Sequence, residues 1–246
     1  KLTGFIPFIL VIFLNAFVDL GHKILIQNTV FKIYDGQTQI ILTAIVNGLI
    51  LLPFVLLFSP AGYLSDKHRK PLVMKVSAAV AVGLTLLITL SYYLGWFQFS
   101  FAMTFLLAVQ SAIYSPAKYG YIKELTGKEQ LATANAVVQA VTIVAILFGI
   151  FAFSVLFERG LAGVSYENEP QILQAIAPLG WILVICAALE WMFAMRLPAR
   201  KAAAAEQRFD VKRYSKGHYL RDNINTILAN RTIWLSIVGL SVFWGI

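Results

Sequence analysis

Three polar residues interrupt the first apolar run at a regular interval: Asn15, Asp19 and Lys23. The i, i+4, i+8 spacing puts them on one face of a helix, with His22 beside that face. A carboxylate in such a run is costly and usually faces a bundle interior or a water-filled path. Placed there, Asp19 could take up a proton, hold a coupling cation or meet the amine of a substrate. The plainer alternative is an ion pair with Lys23 that holds the helix in its bundle. Lys118, just past Pro116, could attract a phosphate or extend its ammonium to lipid headgroups, as a lysine ending a span does. Asn135 and Gln139, one turn apart, fit either a pocket wall or hydrogen-bond glue between helices. Glu190 is expected at the end of its span, where Arg196 or Lys201 can meet it.

Enzyme chemistry has no comparable support. There is no Gly-rich phosphate loop and no nucleophile elbow, and His22, His68 and His218 are scattered. Cys186 is the single cysteine, so no internal disulfide forms. The expectation is a segment with no catalytic residue, no cofactor and no metal.

The elements that must position these residues follow from hydropathy. Apolar residues make up 59% of the chain and charged ones 13%, with mean hydropathy +0.75. The charge is concentrated in short blocks such as LSDKHRKPL (64–72), between two long apolar runs. A soluble core broad enough to bury both runs is improbable at this length, whereas a turn between membrane spans is where charge escapes hydrocarbon. The net charge of +8 therefore bears on topology rather than on nucleic acid.

The spacing predicts an all-α polytopic membrane protein with spans near 4–31, 40–63, 72–94, 97–114, 131–157 and 172–193, and a seventh beginning near Thr232. Pro53 and Pro60 fall in the second span. The third carries little polarity and is expected at the periphery. The fourth is expected to end in SPAKYG (115–120), with a polar connection over 121–130. Ala132, Ala136 and Ala140 form a small-residue stripe suited to close helix contact. Basic residues crowd the loops after spans two, four and six, and acidic ones the loop after span five. The positive-inside rule then puts the N-terminus in the cytoplasm. The expected domains are a six-span half (1–195), a basic cytoplasmic linker near anionic lipid (196–231), part of it an amphipathic surface helix, and the start of a second half (232–246). Opening on Lys1 and stopping within an apolar run, the chain reads as a segment of something longer.

The block GYLSDKHRK (62–70) resembles the cytoplasmic-gate motif of the major facilitator superfamily, with Gly62, Asp66, Arg69 and Lys70 as its gate residues. YSPAKYGYIKEL (114–125), LATANAVVQAVTIVAILFG (131–149) and SIVGLSVFWG (236–245) are similar to the bacterial lysophospholipid transporter family. That family includes stand-alone transporters and versions fused ahead of an acyltransferase. The resemblance implies movement of lysophospholipids, especially lysophosphatidylethanolamine, from the outer to the inner leaflet of a bacterial inner membrane for re-acylation. It implies bilayer lipids and a fused or associated acyltransferase as partners. It also matches the family's first-span carboxylate to Asp19 and its SPAK lysine to Lys118. Leu20 departs from the family's usual asparagine, and Gln139 stands where stand-alone members often carry a carboxylate. Two other readings fit the same spans: a facilitator that exports amphipathic cations, and a non-transporting anchor for a fused acyltransferase.

Overall fold

In the computed structural model, residues 4–198, 214 and 218–245 are described. Every regular element among them is an α-helix: α1 (Phe5–Ile33), α2 (Gly36–Leu56), α3 (Phe58–Lys67), α4 (Lys70–Tyr93), α5 (Phe97–Thr126), α6 (Leu131–Leu161), α7 (Glu169–Ile176), α8 (Pro178–Met195), α9 (His218–Ala229) and α10 (Arg231–Gly245). Six of them, α1, α2, α4, α5, α6 and α8, are long and apolar enough to cross a membrane. This is the all-α, six-span half of a polytopic membrane protein. The chain divides into two compact units, residues 1–204 and 205–246.

In the first unit α1 and α5 are the central helices, each with 56% of its most apolar stretch buried. Helix α1 packs on α6 and α8, and α5 packs on α2, α3 and α4, while α4 and α8 pack on each other. Exchanging spans one to three for spans four to six maps this contact pattern onto itself, the signature of an inverted pair of three-helix repeats. Close approach rests on glycine. A Cβ on Gly21 would strike the Phe153 ring of α6 and come within 2.8 Å of Leu183 of α8, and one on Gly180 would lie 2.6 Å from Thr89 Oγ1 of α4.

Helix termini gather alternately at two ends. At one, Tyr121 Oη donates to the Pro198 carbonyl at 2.9 Å, Gly4 lies against Pro198, and Lys70 pairs with Glu124 at 2.6 Å. At the other, Lys32 pairs with Glu158 at 2.9 Å and Tyr34 donates to Glu169. That carboxylate contact, with some burial, pushes the Tyr34 phenol up to about 12. The α4–α5 turn reaches the same end through Gly95, whose φ of 67° and closeness to Pro170 leave no room for a Cβ.

Five expectations change. Span two is two helices, because Pro60 supplies no N–H to the turn before it and the chain reinitiates after Leu57. The last span likewise divides at Ala177–Pro178 into α7 and α8. Helix α5 does not end at SPAKYG but continues through Pro116 to Thr126. Tyr114, Ala117, Tyr121 and Leu125 keep one buried face going, so packing outweighs the proline and the falling hydropathy. Helix α4 is no peripheral span: Ser77, Ala78, Ala81, Thr85 and Thr89 bury one side of it, and α2 is the exposed one. The Ala132–Ala136–Ala140 stripe is exposed, while α6 turns Ala145, Gly149 and Phe153 inward.

The second unit holds α9 and α10. Leu220, Ile224 and Leu228 form an exposed apolar stripe on α9 at i, i+4, i+8, the pattern of a helix lying at a membrane interface. Within the expected linker, Arg200, Lys201, Arg208, Lys212, Arg213 and Lys216 lie outside the described residues.

Candidate functional site

A cavity of about 260 Å³ opens between α1, α2, α5 and α6. Asn15, Asp19 and Lys23 reach it together from α1, as their spacing requires, and Lys118 enters from the facing helix α5. Ile50 and Phe54 of α2 and Ile146 of α6 make an apolar wall. The cavity therefore presents one carboxylate and two ammonium groups against hydrocarbon.

Asp19 is not paired with Lys23 among the described residues. Its Oδ2 instead accepts from Ser111 Oγ of α5, and Lys118 acts on it electrostatically, while Oδ1 is buried with no partner. Ser111 Oγ also lies 3.1 Å from Gln110 Oε1, and Gln110 Nε2 donates to the Ser77 carbonyl of α4 at 3.1 Å. Lys23 is half-buried and makes no ion pair or hydrogen bond among the described residues. Lys118 Nζ lies 4.6 Å from the centroid of the Tyr119 ring and 5.9 Å from that of Tyr114. These aromatic faces steady the cation without neutralising it.

His22 also reaches the cavity wall, but its ring is fully engaged. Nδ1 lies 2.7 Å from Tyr92 Oη, and Nε2 lies 3.1 Å from the Ser100 carbonyl and 3.2 Å from Thr104 Oγ1. It ties α1 to α4 and α5. Asn135 is exposed and Gln139 half-buried, and the α6 residues in the cavity wall are Thr142 and Ile146.

The charged block sits apart from the cavity. Gly62 is half-buried on α3, Asp66 and Arg69 are exposed, and Lys70 reaches across to Glu124 of α5. Gly120 makes that reach possible, since any Cβ there would strike Lys70 Cε. The glycine of SPAKYG and the lysine of the charged block thus belong to one contact.

Glu190 is not met by Arg196. It is 0% exposed, and neither carboxylate oxygen has a hydrogen-bond partner, although Asn15 is a polar neighbour. Arg196 is exposed and lies over the Phe193 ring at 5.8 Å; Lys201 is outside the described residues. The sequence did hold a signal for this burial. Glu190 continues the Gly180, Leu183, Ala187, Ala194 stripe of α8, at helical spacing and facing inward. Ser111 and Glu124 carried no such signal, because only the packing of α5 on its neighbours gives them their partners.

The family model described as Major Facilitator Superfamily matches residues 7–246. The chain is 29% identical over 224 residues to the lysophospholipid transporter LplT of Yersinia pestis (strain Pestoides F), covering 87% of this chain and 46% of that relative. LplT of Yersinia pseudotuberculosis serotype O:3 (strain YPIII) matches at the same identity and coverage. The chain thus spans about half the length of the curated relatives it matches. No solved structure matches. A six-span half with inverted-repeat packing, a cavity between its central helices and a family match over almost all its length make this chain a member of the Major Facilitator Superfamily.

Proposed function

We propose that the full protein moves lysophospholipids, lysophosphatidylethanolamine above all, from the outer to the inner leaflet of a bacterial inner membrane. The observation that carries this reading is the pairing of Asp19 and Lys118 across one cavity with an apolar wall beside them. A zwitterionic glycerophosphoryl headgroup offers an amine to the carboxylate and a phosphate to the ammonium, and Lys23 adds a second cation. The single acyl chain stays against apolar helix faces such as Ile50 and Phe54. The names of the relatives point the same way. In this reading residues 1–195 are one half, the 196–231 segment is a basic cytoplasmic linker, and 232–246 opens a second half. The N-terminus is cytoplasmic, where the basic loops gather. Gly62, Asp66, Arg69 and Lys70 gate the cavity from that side, with Glu124 holding Lys70. A re-acylating enzyme, fused or separate, takes the delivered lysolipid.

The test uses the full-length protein in spheroplasts lacking their own lysolipid importer. Labelled lysophosphatidylethanolamine supplied to the outer leaflet is expected to arrive inside at a rate well above empty membrane. Absence of arrival with correctly inserted protein contradicts the reading and favours the anchor. Efflux of amphipathic cations that persists in Lys118→Ala favours the exporter.

A further inference from the structure

A second concavity, of about 480 Å³, lies on the face of α5 opposite the Asp19 cavity and shares no residue with it. It is a groove between α3, α4 and α5. Leu72, Val76, Val80 and Leu84 form one wall from α4 at i, i+4, i+8 and i+12, and Val109 and Ile113 face them from α5. At 1.5 Å per residue that ladder rises roughly 18 Å, close to one leaflet's share, about 15 Å, of a bilayer's hydrocarbon core. The polar residues that border the groove, Ser77 and Gln110, are buried and bonded to each other. Ser77 Oγ donates to the Gln110 carbonyl at 3.3 Å, and Gln110 Nε2 to the Ser77 carbonyl at 3.1 Å. Their polarity is met within the protein, so the depth of the groove suits hydrocarbon.

One end of the groove is different. His68 of the charged block borders it there. Lys67 and Arg69 flank His68, both exposed and neither in an ion pair among the described residues, and Lys75 is half-buried on the first turns of α4. Lys67 Nζ lies 5.5 Å from the centroid of the Tyr63 ring, a contact that orients the cation and leaves its charge in place. Lys70 is matched by Glu124, and Asp66 is the acid of the block. Three cations against one acid make this end positive, beside an apolar groove one leaflet deep. That combination is complementary to a phosphate carried on an acyl chain, and the surplus charge favours an anionic lipid over a zwitterionic one. We propose that the groove holds one acyl chain of an anionic glycerophospholipid from the leaflet at the charged-block end, with the lipid phosphate at Lys67 and Arg69. The site is separate from the headgroup cavity and does not depend on which substrate the protein carries.

The test uses full-length protein in phosphatidylcholine vesicles doped with a phosphatidylglycerol probe that bears a photoreactive group on one acyl chain. Cross-linked peptides are mapped by mass spectrometry, and the matching phosphatidylcholine probe is the control. The anionic probe is expected to label the α4 and α5 walls at least about tenfold more than the control, and K67Q and R69Q each to lower that labelling about fivefold, the contribution of one cation near a membrane surface. Both side chains are exposed, so these variants are expected to fold. V80W fills the groove from an exposed position and is expected to remove labelling there by both probes while labelling elsewhere persists. Equal labelling by the two probes means adventitious surrounding lipid only and overturns the proposal. An unlabelled groove does so too, because another segment of the full-length chain then covers it. Labelling that survives unchanged in K67Q and R69Q, or competition by glycerol phosphate, which has no acyl chain, is equally contrary.

Discussion

Helix α1 carries two polar centres three residues apart, one buried at His22 and one half-buried at Asp19, and they are built oppositely. His22 has a partner for each ring nitrogen, drawn from α4 and α5. Asp19 leaves its Oδ1 without one, as do the Tyr114 hydroxyl and both Glu190 oxygens. A satisfied buried group fixes helix positions and resists change, because removing it strands its partners. An unsatisfied group contributes nothing of that kind and is free to bind something that arrives. On the proposed reading the first centre belongs to the scaffold and the second to transport.

Substitutions that separate stability from activity sharpen this contrast. The largest stability loss is expected for H22A, about 2–3 kcal/mol, since Tyr92 and Thr104 lose their shared partner and a void opens. Denaturant titration of the detergent-solubilised protein measures it, and substrate selectivity should stay unchanged. G21A should follow at about 1–3 kcal/mol, because Phe153 and Leu183 must give way where α1, α6 and α8 meet. E190Q reverses the pattern: stability within about 0.5 kcal/mol of wild type or higher, because no hydrogen bond of ordinary geometry is lost. A loss of several kcal/mol in E190Q would erase the distinction between the two centres.

Away from both centres, K70A is expected to destabilise by about 0.5–1 kcal/mol, the Lys70–Glu124 pair being only partly shielded from water. The smallest effect concerns Tyr34. Its phenol is raised in the folded protein, so its contribution is fully present below its ordinary value of 10.0 and fades as pH climbs through about 12. Y34F should remove that alkaline component from a stability-against-pH profile and leave the neutral range alone.

How much of this was legible in the sequence differs between the two levels. Hydropathy located the six spans, and helical spacing put Asn15, Asp19 and Lys23 on one face, because both depend on local order along the chain. Helix continuity through Pro116 was also written there, in the spacing of Tyr114, Ala117, Tyr121 and Leu125. Hydropathy alone hid it, since Lys118, Lys123 and Glu124 lower the average without interrupting the buried face. Partners were not legible. Ser111 lies 92 residues from Asp19, and Glu124 lies 54 from Lys70. Such pairs exist only after α5 has packed on its neighbours. Glu190 shows both limits at once: its stripe marked it as buried, yet nothing local marked its lack of partners.

The central claim is that Asp19 and Lys118 read two parts of one headgroup. The most direct measurement compares import of lysophosphatidylethanolamine and lysophosphatidate, which lacks the amine, by wild type, D19N and K118A full-length protein. Wild type should favour the amine-bearing lipid. D19N should lose that preference, with its import falling at least about tenfold, equivalent to about 1.4 kcal/mol, while lysophosphatidate import changes little. K118A should lose both lipids alike. Equal loss of both lipids in D19N, or unimpaired import in K118A, would contradict the account.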